Sequence, residues 1–195
     1  MKDLRFVEET HQYFLTMNGR EIELPALTNI LKDVGIIDIK SIQRWYTPQS
    51  ASRGKAIHRA LEYLDKDTLD WGTVDTQIYG WVEAYVNFKA EKKYELIDIE
   101  EPIYHKTCLY ACTPDRLVVY RKKNIVIDFK SGAEELWHVL QLTLNAMAYQ
   151  SHGTQIDELW GVYLKENGKH KVKKYEPEID LCMSILKIFA WRNGK

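Results

Sequence analysis

The sequence predicts an α/β (α+β) fold in a single domain, and three features carry that expectation. Residues 113–130, TPDRLVVYRKKNIVIDFK, read as two apolar strands joined by the basic connection Arg121-Lys122-Lys123-Asn124. Segments near 52–66, 73–93, 134–151 and 179–191 repeat apolar residues at helical spacing. Asn18-Gly19 and Asn167-Gly168 supply the dipeptide that tight hairpin turns favour, because both positions take positive φ.

Taken in order, residues 4–24 form a hairpin with Phe6, Tyr13, Leu15 and Met17 on one alternation, ended by Pro25. Thr28 caps a short helix carrying Ile30, Leu31 and Val34, stopped at Gly35. From Ser52 a helix places Ile57, Ala60, Leu61 and Leu64 on its apolar side. The next, 73–93, carries Trp81, Tyr85 and Phe88, read as core aromatics. Residues 96–104 and 109–120 follow as strands, the latter interrupted near Thr113-Pro114, then the short strand 125–130, broken by Ser131-Gly132. A helix over 134–151, a closing hairpin from 159 to 175 and a final amphipathic helix complete the chain. The expected organisation is an N-terminal hairpin extension (1–50), a core (about 51–165) and a closing hairpin with C-terminal helix (159–195).

The 195 residues, 45% hydrophobic and 12% aromatic, suffice for one substantial core. Three cysteines indicate neither a disulfide framework nor a four-thiolate centre. No apolar run reaches bilayer length and MKDLRFVEETHQ lacks the apolar core of a secretion signal, so the expected compartment is the cytosol. With a formal charge of −1, a nucleic-acid partner would need local basic patches, such as the five lysines and His170 between 165 and 174.

The chemistry concentrates in the central strands. Period two puts Asp128 and Lys130 on one face, with Ile125, Ile127 and Phe129 on the other. If the two strands pair, Asp115 joins them, and two acids with a lysine can hold a hard divalent cation and leave an amine for a water or a phosphate. His58 and Glu62 share a helix face one turn apart, as metal ligands or as an ordinary hydrogen-bonded pair. Ser52 and Arg53, placed at the helix start, are candidates for binding a phosphate. Gln141, Asn145 and Tyr149 recur every four residues as a narrow polar stripe that faces either solvent or the site.

These residues in succession resemble the PD-(D/E)XK nucleases, specifically the RecB-like and phage exonuclease branch. The resemblance runs from Arg53-Gly54, His58 and Glu62 through Pro114-Asp115 and Asp128-Phe129-Lys130 to Gln141 and Tyr149, about half the chain. His11-Gln12-Tyr13 with Leu27-Thr28-Asn29-Ile30-Leu31 is similar to the start of phage-encoded and mitochondrial members. Relatives with an iron–sulfur cluster need four cysteines, and this chain has three.

The resemblance implies a restriction-endonuclease-like core, a central mixed β-sheet flanked by helices. It implies Mg²⁺ or Mn²⁺ on Asp115, Asp128, the Phe129 carbonyl and His58, with Lys130 positioning water. Glu62 would bind a second ion or orient His58, Gln141 and Tyr149 would contact the substrate backbone or hold Lys130, and Arg53 would take a terminal phosphate. The implied activity is hydrolysis of linear single- or double-stranded DNA, exonucleolytic in preference to endonucleolytic, in phage-type recombination, replication or repair, alongside partner proteins of those pathways. A non-catalytic DNA-binding subunit is the alternative from another class.

Overall fold

In the computed structural model, which describes residues 3–38 and 47–194, the chain opens with a three-stranded antiparallel sheet: β1 (Leu4–Val7), β2 (Gln12–Met17) and β3 (Arg20–Leu24). The β2–β3 turn is the expected Asn18-Gly19 pair, both residues at positive φ (51° and 74°). The part of the expected extension at 39–46 lies outside the described residues. Tyr13, Leu15 and Leu24 pack with Ala26 and Ala111, and Ala111 donates its amide to the Pro25 carbonyl (3.0 Å), so this sheet is sewn to the main body.

α1 (Leu27–Asp33) starts two residues earlier than expected: Ala26 holds the cap position and Thr28 lies inside the first turn. α2 (Pro48–Asp65) also starts early. Pro48 suits a first turn because its missing N–H has no helical partner anyway, and Thr47 accepts a hydrogen bond from the Ser50 amide (3.1 Å). Ser52 and Arg53 therefore sit in the second turn rather than at the helix start, which corrects the phosphate-binding rationale drawn from free first-turn amides.

α3 (Tyr79–Lys92) begins later than expected, because Asp70 and Asp75 hold residues 70–77 in local turns through the Gly72 and Gln77 amides. Where one strand was expected over 96–104, β4 (Glu95–Ile99) and β5 (Ile103–Tyr104) are separated by Glu100 at φ 50° and by Pro102. β6 (Ala111–Cys112) pairs with β5, and β7 (Arg116–Tyr120) follows as a separate strand.

β8 (Lys123–Lys130) starts at Lys123, so only Arg121 and Lys122 form the turn, at φ 51° and 64°. α4 (His138–Ser151) begins four residues later than expected, because the Glu135 amide is bonded by the His138 ring. β9 (Glu158–Leu164), β10 (His170–Tyr175) and α5 (Ile179–Arg192) complete the chain as expected.

The main sheet is mixed, in the order β10-β9-β8-β7-β4, with β8 and β9 parallel and the other pairs antiparallel. One face, with Leu117, Val126 and Leu159, packs against α1, α4 and α5. The other, with Val118, Ile125, Ile127, Phe129 and Trp160, packs against α2 and α3, where Trp81, Tyr85 and Phe88 are core residues as expected. β8 is buried on both faces, which explains its near-continuous apolar run. Among the described residues no helix is long and apolar enough to cross a membrane.

Candidate metal centre

The centre is set by register. Arg116 pairs with Ile127 across the β7–β8 hairpin, so one step beyond it Asp115 stands opposite Asp128. Ile99 pairs with Arg116 on the other side, and the Glu100 amide donates to the Asp115 carbonyl (3.1 Å). Three acids from three neighbouring strands thus line up at one end of the sheet, and α2 brings His58 over them. His58 Nδ1 lies 3.4 Å from Asp115 Oδ1 and 3.8 Å from Glu100 Oε1, and one ligand atom from each of the three residues falls within 4.8 Å of the others.

Glu100 was missed by the sequence reading. A bulge between Leu96 and Asp98 resets the side-chain alternation of β4, and the positive φ at Glu100 turns the chain there. Neither shows in the periodicity. The acidic pair Glu100-Glu101 before Pro102 was the available signal.

The set fits a divalent cation. Ligands at about 2.1 Å span about 4.2 Å across an octahedral shell, so a small contraction of the 4.8 Å group gathers its three atoms on one ion. Burial works to raise the Asp115 carboxyl, but the charge and hydrogen bond of His58, with Lys130 and the Phe129 amide, outweigh it and hold the group below the usual range. Burial likewise opposes charge on His58, one-third exposed, yet the two carboxylates raise its pKa. Burial and the Asp115 charge raise Glu100. A proton on the imidazole thus occupies the electrostatic position that suits a metal ion.

Asp115 Oδ2 accepts the Phe129 amide (2.6 Å), tying the metal corner to β8, while the Phe129 ring is core. Asp128, 2% exposed, has Oδ2 2.6 Å from Lys130 Nζ; burial, then the Asp115 charge, pushes its carboxyl up against the pull of Lys130. Lys130 also donates to Gln141 Oε1 on α4 (2.8 Å) and lies 5.2 Å from the Trp137 ring centre.

Other expected site residues stand apart. Glu62 pairs with Lys66 (2.6 Å) and is not in the three-residue group. Ser52 is exposed, and the Arg53 guanidinium stacks on Trp81 (4.9 Å). Asn145 and Tyr149 are buried at 2% and 4% exposure, so that end of the α4 stripe faces inward. The Tyr149 hydroxyl makes no well-formed hydrogen bond, although Asp98 lies beside it; burial, then Asp98, raises it. In the 165–174 segment Lys171 and Lys173 pair with Glu134, Lys174 with Glu158 and His170 with Glu91, which leaves Lys165 and Lys169 without ion pairs among the described residues.

Behind the centre lies a buried ionic network. Arg116 Nε meets Asp65 Oδ2 (2.6 Å), Nη1 donates to the Asp115 carbonyl (2.5 Å) and reaches Glu100 Oε1 (3.4 Å). Lys89 and the Tyr85 hydroxyl complete the shell of Asp65.

No protein-family model and no curated protein matches the chain. Among solved structures it is similar to an alkaline exonuclease, LHK-Exo, from Laribacter hongkongensis, at 15% identity and TM-score 0.42, over 56% of this chain and 62% of that one. It is also similar to LHK-Exo in complex with dAMP (14% identity, TM-score 0.39, 73% of this chain and 85% of that one) and to SSO0001 (16%, 0.39, 84% and 69%). The first match spans less than two thirds of that protein's chain.

Proposed function

We propose that this chain is a metal-dependent deoxyribonuclease that hydrolyses phosphodiester bonds, acting on linear DNA as an exonuclease. The observation that carries this reading is the convergence of His58, Glu100 and Asp115 within 4.8 Å, beside a lysine held between Asp128 and Gln141. Such a corner contributes little to stability, because burying carboxylates is costly unless they are paired or bind a cation.

In this reading His58, Glu100 and Asp115 hold the ion, with Asp128 and the Phe129 carbonyl completing its shell. A bound Mg²⁺ or Mn²⁺ would supply a water of lowered pKa and positive charge for the scissile phosphate, and the imidazole of His58 would make Mn²⁺ more tolerable than at an all-oxygen site. Lys130 Nζ, fixed by Asp128 and Gln141, stabilises the charge that grows on the phosphate oxygens, or orients the attacking water. Glu62 lies one turn from His58 and can turn from Lys66 to a second ion.

The DNA backbone is led in by cations without ion pairs among the described residues. Lys55 is one turn before His58 on α2, and Lys32 and His11 lie near enough that both lysine charges depress the His11 pKa, after burial. Tyr13 anchors this side through a 2.9 Å hydrogen bond to Thr113, two residues before Asp115. Ser52 lies one turn before Lys55 on the same side of α2, and Arg53, stacked on Trp81, is a candidate for a terminal phosphate.

The test is incubation of linear single-stranded, linear double-stranded and closed circular DNA with Mg²⁺ or Mn²⁺, using wild type, Asp115→Asn and Lys130→Ala. Nucleotides released from linear DNA by wild type alone, with circles left intact, support the reading. Cut circles make the enzyme an endonuclease. Equal release by all three proteins, or DNA retained uncut under every metal, removes the nuclease assignment.

A further inference from the structure

We propose that His138 is a positioning residue for Lys130: through the first turn of α4 it sets where the ammonium stands. Lys130 Nζ meets Asp128 Oδ2 on its own strand (2.6 Å), Gln141 Oε1 (2.8 Å) and the face of the Trp137 ring (5.2 Å). Trp137 and Gln141 lie on either side of His138, where α4 begins with no side-chain cap from Trp137. The His138 ring closes that end instead. Its Nδ1 accepts the Glu135 amide (3.2 Å), while the His138 amide donates to the Glu135 carbonyl (3.2 Å). The Trp137 and His138 rings meet edge to face at 4.4 Å, and the Gln141 amide donates to the Trp137 carbonyl (3.1 Å). Two of the groups around the ammonium therefore ride on a turn that His138 clamps.

The clamp is tied to the sheet beside Lys130 itself. In the parallel β8–β9 pair Tyr163 stands next to Lys130 and Gly161 next to Asp128, on the same face. A backbone amide can only donate, so Nδ1 is the acceptor and the neutral ring carries its hydrogen on Nε2. That orders the bonds beyond it. The Tyr163 hydroxyl donates to Nδ1 (2.9 Å), and the Tyr175 hydroxyl of β10 donates to Tyr163 (2.5 Å). Gly161 leaves the room, since a β-carbon there would lie 2.8 Å from the Tyr175 ring and 3.2 Å from the Tyr163 ring. His138 and Tyr163 are both buried, so water does not compete for these bonds. Leu140, Leu142 and Leu144 hold α4 against the sheet, but apolar packing is non-directional and does not by itself aim Gln141. The directional bonds from His138 to the Glu135 turn and to β9 supply that aim.

The experiment follows the Lys130 ammonium of the metal-free protein by NMR with isotope-labelled lysine, the signal being assigned by its loss in Lys130→Ala. Wild type should show it apart from the exposed lysines and slow to exchange. His138→Leu, which deletes the acceptor, should move it among them, and His138→Asn, whose Oδ1 takes the place of Nδ1, should bring it back. On linear DNA with Mn²⁺, His138→Leu should lower kcat about tenfold with KM and Mn²⁺ affinity within about twofold, and His138→Asn should recover to within about threefold of wild type. If His138→Leu does not fold, Tyr163→Phe, which removes one donor from the chain, should lower kcat about threefold and shift the Lys130 signal. An unchanged Lys130 signal in the folded variant overturns the proposal, and so does a His138→Asn protein as impaired as His138→Leu. The proposal rests on the nuclease reading only for the rate. A wild type that leaves DNA intact sinks that reading while the Lys130 signal still decides the role of His138; an active enzyme whose Lys130 signal ignores His138 does the reverse.

Discussion

Arg116 and Asp65 form a 2.6 Å ion pair that is closed to solvent on both sides, with side-chain exposures of 1% and 0%. The same guanidinium reaches the Asp115 carbonyl and the Glu100 carboxylate, so a pair within the core sets two corners of the metal group. Arg116→Met leaves Asp65 buried with only Lys89 and Tyr85 as partners, and should cost about 3–5 kcal/mol, the usual penalty for breaking a buried pair from one side. Denaturant unfolding reads that loss, and a Mn²⁺ titration of the folded fraction should show weaker binding. Unchanged affinity would separate Arg116 from the centre.

Lys130 and Gln141 make a second testable pair. Gln141→Ala removes one of the two groups that fix the ammonium and should lower kcat about tenfold or more, with Mn²⁺ affinity unchanged. Lys130→Ala should cost on the order of 10²–10³, within the range for a lost electrostatic or proton-handling group. Steady-state kinetics beside metal titration checks both. If Gln141→Ala lowers metal affinity instead, its part is in ion binding.

A pH effect on stability follows from His138. The ring is 4% exposed and its Nδ1 meets the Glu135 amide (3.2 Å) and the Tyr163 hydroxyl (2.9 Å). Burial, then the nearby Lys130 charge, lowers its pKa to about 3. The unfolded chain takes up the proton near the ordinary histidine value of about 6.5, so between the two values the unfolded state binds more protons. The His138 contribution is complete above pH 6.5 and fades as pH falls toward 3, by up to about 5 kcal/mol at about 1.4 kcal/mol per pH unit. Unfolding midpoints of wild type and His138→Asn across that window should converge as the pH drops. A constant gap would mean that His138 does not titrate in this way.

Gly80 tests the packing of α3 on the closing hairpin. A β-carbon there would lie 1.6 Å from the Glu166 carbonyl oxygen, a backbone atom that cannot swing away. Asn87 Nδ2 anchors the same loop at the Gly168 carbonyl (3.0 Å). Gly80→Ala should therefore destabilise by about 1–3 kcal/mol despite the better helix propensity of alanine, as overpacked sites do. Thermal unfolding decides it, and a variant as stable as wild type would show that the loop adjusts freely.

Much of this was legible in the residues. Alternation placed Asp128 and Lys130 on the face opposite Ile125, Ile127 and Phe129, and the strand pairing that alternation suggested puts Asp115 across from Asp128. The four-residue step of the α4 stripe marked Gln141, whose contact with Lys130 spans two elements. Boundaries set by a single side chain were not legible: Thr47 and Pro48 open α2 early, while the His138 ring delays α4. Nor was Glu100, because a bulge and a left-handed backbone step carry it to the centre and neither leaves a periodic trace. The parallel pairing of β8 with β9, whose partners lie 33 positions apart in sequence, likewise depends on the helix between them.

The two-residue turn at Arg121-Lys122 works as a gauge for the whole centre. Both residues carry positive φ without glycine or asparagine, so its chemistry is open to revision: Asn-Gly there should relieve strain and leave the hairpin firmer. Its length is another matter. One residue more or fewer that slid β7 against β8 would turn Asp115 or Asp128 to the opposite side of the sheet and carry every core side chain of that strand with it, so centre and core are lost together and the tip of that hairpin is free to change letters but not count.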